Sequence, residues 1–275
     1  MTIRNDLLGV SSIVRALGLK GVYYDRLLDL YHSAALSLDK LTGLWVSIVF
    51  RLPLLTRVKG KYLIVLDALN APKEGKKMPG VKKLHQASES NTKPSYIFGH
   101  YCQAVAVLAG TVKSLFAIPV ASRVHDGVRF NNRDARTTLD KMIAMIGSLR
   151  IPGEYYCIAD TAYASNTMIT GLRAGGNHLI SRVKRNAVAY KAPLKGLLAK
   201  RGRPATYGEK IHLREQFTDK KSFQSAQSPV YSEDNVTLLF KSLDLLWKPA
   251  GTFVRFVFVI HPTRGTIILM STDIS

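Results

Sequence analysis

Two apolar runs in this chain each end on an aspartate. Lys61-Tyr-Leu-Ile-Val-Leu-Asp67 and Tyr155-Tyr-Cys-Ile-Ala-Asp160 both place the acid after four or five apolar residues and before a small or loop residue. Short apolar runs bounded by polar residues read as strands, so each aspartate is expected where its strand ends. Lys61 to Leu66 is the first expected strand, followed by a Lys-, Gly- and Pro-containing loop from Ala71 to Lys93. Tyr96 to Leu108 and Val112 to Val120 flank Ala109-Gly-Thr111, the pattern of an antiparallel hairpin. Asn131 to Leu149 has the spacing of an amphipathic helix. Ala135, Leu139, Met142, Ile143, Ile146 and Leu149 form its apolar face, Asn131 or Asn132 its cap, and Ile151-Pro-Gly153 its end. Tyr155 to Ala159 is the next strand, Ser165 to Ala174 a helix and His178 to Val183 a further strand.

Three strands in a meander, then helix, strand, helix and strand, is the order of a ribonuclease H-like mixed sheet whose last strands join by right-handed crossovers. Before it, residues 6 to 50 carry apolar positions at helical spacing, with Gly18, Gly21 and Gly43 as expected breaks between short helices. After it, Ile211 to Phe217, Val236 to Leu239, Phe253 to Ile260 and Thr266 to Ser271 read as strands punctuated by prolines. The expected fold class is therefore α/β. It comprises an N-terminal helical lobe (1–58), an incomplete ribonuclease H-like core (59–184) and a β-rich insertion after the fifth core strand (185–275).

Composition narrows the partners. Lys and Arg number 39 against 19 acidic residues, a formal net charge of +20, while hydrophobic residues make up 47%. The apolar share suits a folded core, and the charge favours a polyanion through steering and counterion release. Nucleic acid is the expected partner, with an anionic membrane surface the weaker alternative. The longest apolar stretches, Leu41 to Leu55 and Ala104 to Val120, are interrupted by Arg51 and Lys113, so no membrane span is expected. Met1 to Val10 is too polar for a signal peptide, and the 2 cysteines, Cys102 and Cys157, read as reduced thiols in strands. A cytoplasmic, nucleoid-associated location fits.

Two strands side by side, each ending in a carboxylate, would offer hard oxygen ligands to a divalent cation; magnesium is bound through one or two carboxylates plus substrate phosphates. The alternative for either aspartate alone is that it caps the following turn. After Asp67 come Lys73, Lys76, Lys77, Lys82 and Lys83. A solvated loop and a DNA-backbone contact are both open readings of that charge run. Arg182 and Lys184 follow a core strand and either grip a phosphate or form a plain basic turn. His85, His100 and His125 have no zinc-site spacing. No Walker loop, nucleophile elbow or dinucleotide fingerprint is present.

These residues resemble bacterial insertion-sequence DDE transposases. The resemblance is carried by Leu66-Asp67, the stretch Pro72-Lys-Glu-Gly-Lys-Lys-Met-Pro-Gly-Val-Lys-Lys-Leu-His85-Gln86, Ser88-Glu-Ser-Asn91 and Phe98-Gly-His100. Ile158-Ala-Asp160-Thr-Ala-Tyr163 is similar to the second-aspartate motif, Leu179-Ile-Ser-Arg182-Val-Lys184 to the following strand, and Ile267 to Asp273 to the strand closing the β insertion. It implies Asp67 and Asp160 as catalytic metal ligands for Mg2+ (or Mn2+), and DNA contacts from Lys73, Lys76, Lys77, Lys82, Lys83, His85, Arg182 and Lys184. It also implies double-stranded DNA as partner, at terminal inverted repeats and at the target, and a homo-oligomer on that DNA. The implied reaction is phosphodiester cleavage followed by strand transfer. The family's third ligand, a glutamate on a helix after the insertion, has no counterpart; Glu209, Glu215, Glu233 and Asp273 are poor replacements. The chain is accordingly expected to be a fragment of weak or no activity, with a non-catalytic DNA-binding remnant that pairs with or inhibits an intact enzyme as the alternative.

Overall fold

The structure, a computed structural model, describes residues 10–78, 80–85, 94–111, 114–125, 136–193, 205–230, 233 and 235–275. It divides into two compact units, Met1–Ile48 and Val49–Ser275.

The first unit holds α1 (Val10–Ala16), α2 (Tyr23–His32) and most of α3 (Leu38–Val49). Gly18 closes α1 with φ 61°, while the Leu19 amide bonds the Val14 carbonyl and the Gly18 amide that of Arg15. Glycine takes this left-handed position without the Cβ clash other residues meet. Gly43, expected as a break, lies inside α3. One glycine costs a helix about 1 kcal/mol relative to alanine, which Leu41, Leu44 and the other strong formers around it offset. The break falls instead between His32 and Leu38, where the Ser33 hydroxyl accepts from the Ala35 amide. Helix α2 is amphipathic yet buries none of its residues.

The second unit is built on a 13-stranded mixed sheet. Its strands are β1 (Arg57–Val58), β2 (Lys61–Pro72), β3 (Lys82–His85), β4 (Tyr96–Thr111), β5 (Ser114–His125), β6 (Tyr155–Ala159), β7 (His178–Arg182), β8 (Val188–Tyr190), β9 (Lys210–His212), β10 (Gln224–Gln227), β11 (Thr237–Trp247), β12 (Thr252–His261) and β13 (Gly265–Ser271). The main path runs β3-β4-β2-β6-β7-β13-β12-β11-β8-β9; β1 pairs β2, β5 pairs β4, and β10 pairs β11. Among the described residues, only the β2–β6 and β6–β7 pairs are parallel. The meander, the helix and the two following strands thus form the ribonuclease H-like core expected from the sequence. The β-rich C-terminal segment joins the same sheet, through β13 against β7.

Two helices, α4 (Thr138–Ser148) and α5 (Asn166–Ala174), precede β6 and β7. They pack closely: a Cβ at Gly171 of α5 would lie 2.5 Å from Ile143 Cδ1 of α4. Met142, Ile146, Met168, Ile169 and Leu172 from the helices are buried, as are Ile64, Leu66, Val105, Val107 and Leu179 from the sheet. Each such side chain contributes about 1.5–3 kcal/mol on burial. A second cluster, including Trp247, Phe256, Phe258, Ile268 and Met270, fills the sheet formed by β11, β12 and β13. Among the described residues no helix is long and apolar enough to cross a membrane.

Several expected boundaries move. β2 does not stop at Leu66 but continues to Pro72, because Ala68 to Pro72 find a complete antiparallel partner in Gly99 to Gln103 of β4. The expected loop from Ala71 to Lys93 contains β3, paired with β4. Helix α4 begins at Thr138, where Thr137 and Asp140 form a reciprocal capping box; Asn131 and Asn132 lie outside the described residues. A hydroxyl cap with an acid three residues on satisfies two amides that would otherwise lack partners. The helix ends at Ser148, before Ile151-Pro-Gly153. The stretch from Ile211 to Phe217 is a strand only to His212, then a 3-10 turn over Leu213–Phe217.

Candidate active site

Strand pairing alone brings the aspartates together. Val65 of β2 pairs with Ile158 of β6, which pairs with Ile180 of β7. Two residues further along these three parallel strands stand Asp67, Asp160 and Arg182, in one row at the carboxyl rim. Side chains two apart on a strand share a face, so the row follows Val65, Ile158 and Ile180, whereas Asn70 and Tyr101 stand out of phase with Asp67 and reach the cleft from the other face. Asp160 follows the last residue of β6 with extended backbone (φ −75°, ψ −179°), so the strand line holds through it. The Ser181 hydroxyl donates to the Asp160 carbonyl at 2.7 Å and ties the ends of β6 and β7 together.

Each carboxylate keeps an open oxygen. Asp160 Oδ1 accepts from the Ala162 amide at 3.0 Å, capping the 3-10 turn Thr161–Tyr163. Asp67 Oδ1 accepts from the Ala68 amide at 2.8 Å. The second oxygen of each has no hydrogen-bond partner among the described residues. Both line a cleft of ≈ 340 Å³, together with Ala68, Asn70, Tyr101, Thr138, Leu139, Ala162 and Tyr163. Tyr163 is buried. Burial first, and then the charges of Asp160 and Asp67, raise the hydroxyl pKa of Tyr101 and Tyr163. Both phenols therefore stay protonated beside the carboxylates at neutral pH.

This donor set fits a divalent cation held jointly with a substrate. Two hard carboxylate oxygens at one rim, with polar cleft walls, supply the anionic ligands magnesium takes from a protein. Among the described residues no group of three or more His, Cys, Asp or Glu side chains could hold a metal. The other candidate acids are engaged elsewhere. Glu209 pairs with Lys191 at 2.6 Å, and Glu233 with His261 and Arg264 at 2.9 and 2.5 Å. Asp273 accepts from the Tyr156 hydroxyl near the amino ends of the parallel strands, the rim opposite Asp160. Glu215 lies in the 3-10 turn after β9. Cys157 is buried, and burial pushes its thiol pKa well above the usual value, so it is inert.

The basic residues divide by position. Arg182 is exposed at the rim in the row of the aspartates, and Lys184 is exposed in the turn closed by the Ala187 amide on its carbonyl. Lys73, Lys76 and Lys77 are exposed in the turn after β2. Lys82 is half-buried, its Nζ 5.3 Å from the Tyr101 ring centre; burial, then the charge of Lys141, lowers its pKa. Lys83 and His85 are exposed on the other face of β3, against Tyr96. Asn70, Tyr101, Thr138 and Tyr163 line the cleft without standing out as site residues in the sequence. Only Tyr163 carried a signal, as the end of the Asp160-Thr-Ala-Tyr163 stretch.

A mixed sheet whose adjacent parallel strands carry carboxylates at one rim defines a ribonuclease H-like α/β nuclease fold. Residues 19–234 match the model of the DDE superfamily endonuclease family, and the chain belongs to that family. Among solved structures, a piggyBac transposase in a synaptic complex with hairpin DNA is similar, with 11% identity and a TM-score of 0.34 over 78% of this chain and 33% of that one. This chain thus spans about a third of that transposase. The NurA nuclease from Sulfolobus solfataricus is similar with 9% identity and a TM-score of 0.29, over 94% of this chain and 82% of that one. None of the curated proteins compared matches.

Proposed function

We propose that Asp67 and Asp160 are two carboxylates of a DDE-type centre that hydrolyses a phosphodiester in double-stranded DNA at transposon ends, freeing a 3′-hydroxyl whose oxygen then attacks a target phosphodiester and displaces the target strand's own 3′-oxygen. The observation that carries this reading is the row formed by Asp67 and Asp160, adjacent, parallel and each with one open oxygen on a common cleft. Mg2+ or Mn2+ bound there would neutralise phosphate oxygens and orient the attacking oxygen. Arg182 and Lys184 would hold the backbone on one side of the pair, and Lys73, Lys76, Lys77, Lys82, Lys83 and His85 on the other. Tyr101 and Tyr163, kept protonated, wall the cleft beside the carboxylates. A second reading, favoured by the net charge of +20, is a non-catalytic DNA-binding chain that pairs with or inhibits an intact enzyme.

Mn2+ titration followed by electron paramagnetic resonance tests the ligands without requiring turnover. Asp67→Asn and Asp160→Asn should each weaken Mn2+ binding by roughly 10-fold or more. Asparagine can still cap a turn, so far-ultraviolet circular dichroism should not change. Variants that bind Mn2+ like the parent would overturn the assignment. Magnesium-dependent nicking of supercoiled plasmid, lost in both variants, would favour the enzyme over the DNA-binding remnant.

A further inference from the structure

On the face of the sheet that carries Asp67, Gly80 packs over His100 and Val124, and beyond it an exposed aromatic pair stands at the start of β4. Asp67 pairs with Ala104 on β4, and Leu69 with Cys102, which in turn pairs with Val124 on β5. Phe98 and Tyr96 lie six and eight residues before Ala104 on the same strand, so even spacing keeps them on that face. Leu69 is 54% exposed, Val124 52%, Phe98 38% and Tyr96 54%. Each ring has a lysine over it: Lys76 Nζ stands 5.1 Å from the Phe98 ring centre and Lys83 Nζ 4.6 Å from that of Tyr96. The His85 ring meets Tyr96 edge-on at 5.1 Å.

We infer that Phe98 and Tyr96 form a base-stacking platform for single-stranded DNA, the strand that leaves the carboxylate pair unpaired. This rests on the proposed DNA reading of the Asp67–Asp160 rim and extends it to a second site. Aromatic faces interleaved with cations are how proteins hold a single strand, bases on rings and phosphates on lysines. Rings two residues apart on a strand stand ~6.8 Å apart, twice the ~3.4 Å rise of stacked bases, so the platform suits an unstacked strand and not a duplex. Along β4 the rings lie ~20 and ~27 Å from the level of Asp67, within reach of a few extended nucleotides. The plain structural alternative is that the lysine stems only shield the rings from water; it gives no preference between single strand and duplex.

Fluorescence anisotropy with a labelled single strand and with its duplex, in EDTA at fixed salt, tests this on the full chain. Tyr96→Ala and Phe98→Ala should each weaken single-strand binding roughly 10-fold, and leave duplex binding and the salt slope unchanged. Tyr96→Leu and Phe98→Leu keep apolar bulk without a π face and should behave like the alanine variants; Tyr96→Phe should bind like the parent. Lys76→Ala and Lys83→Ala should reduce the salt slope by about one each. Ring variants that bind single strand like the parent, or that lose single strand and duplex equally, overturn the platform and leave the DNA reading standing. A parent chain that binds neither probe overturns both.

Discussion

Asp160 serves structure and proposed chemistry with different oxygens. Oδ1 fixes the 3-10 turn through the Ala162 amide, and the other oxygen is left for the cleft. The capping alternative raised by the sequence is therefore correct and compatible with a ligand role. Both aspartates were legible because a charged residue after an apolar run is conspicuous. Tyr101 was not, since a tyrosine inside a strand carries no mark until pairing sets Asn70 opposite it. Glu233 shows how an acid is committed elsewhere. Its carboxylate accepts from Ser228 Oγ at 2.5 Å and meets His261 Nε2 at 2.9 Å, and these bonds hold its pKa below the ordinary 4.5. A depressed folded pKa means the stabilisation is complete above the unfolded value and is lost as pH falls through the folded one. Glu233→Gln should therefore lower Tm at neutral pH, and that deficit should shrink below about pH 4.5. Thermal melts by circular dichroism across that range check it; a deficit constant with pH would count against the ionic role.

At the scale of elements, register decides what the local pattern leaves open. Glycine 99 sits in β4 opposite Pro72 and Lys82, and a Cβ there would lie 2.3 Å from the Ala71 carbonyl oxygen. The backbone of β2 can approach only because no side chain intervenes. Gly99→Ala should cost about 1–3 kcal/mol in urea unfolding and splay the β2–β4 pairing beyond Asp67. An unchanged midpoint would show the approach to be slack. This contact also explains why β2 outruns its apolar run: Ala68 to Pro72 have weak strand character, yet five successive pairings with β4 hold them. Helix α4 was legible in its face but not its start, because Asn131 and Asn132 offer cap residues in the sequence as readily as the Thr137-x-x-Asp140 capping box that starts it.

Across the whole molecule, the proposed DNA reading draws on the formal charge of +20 and on the exposed lysines of the turn after β2. Neutralising six or more phosphates should make DNA affinity fall by roughly 10³-fold or more between 50 and 200 mM salt. Anisotropy titrations at stepped salt check it, and a flat response would remove the phosphate roles assigned to the lysines and Arg182. Leu69, Val124, Phe98 and Tyr96 are exposed apolar side chains of the sheet beside that charge.

Strand and helix order, the charge and the two acids were set by the chain itself, since periodicity and apolar runs act within a few residues. That Asp67, Asp160 and Arg182 form one row, and that Tyr101 and Tyr163 wall their cleft, was decided only in three dimensions. Register between strands distant in sequence depends on which face of each strand is buried against the rest of the fold, a property no local window contains.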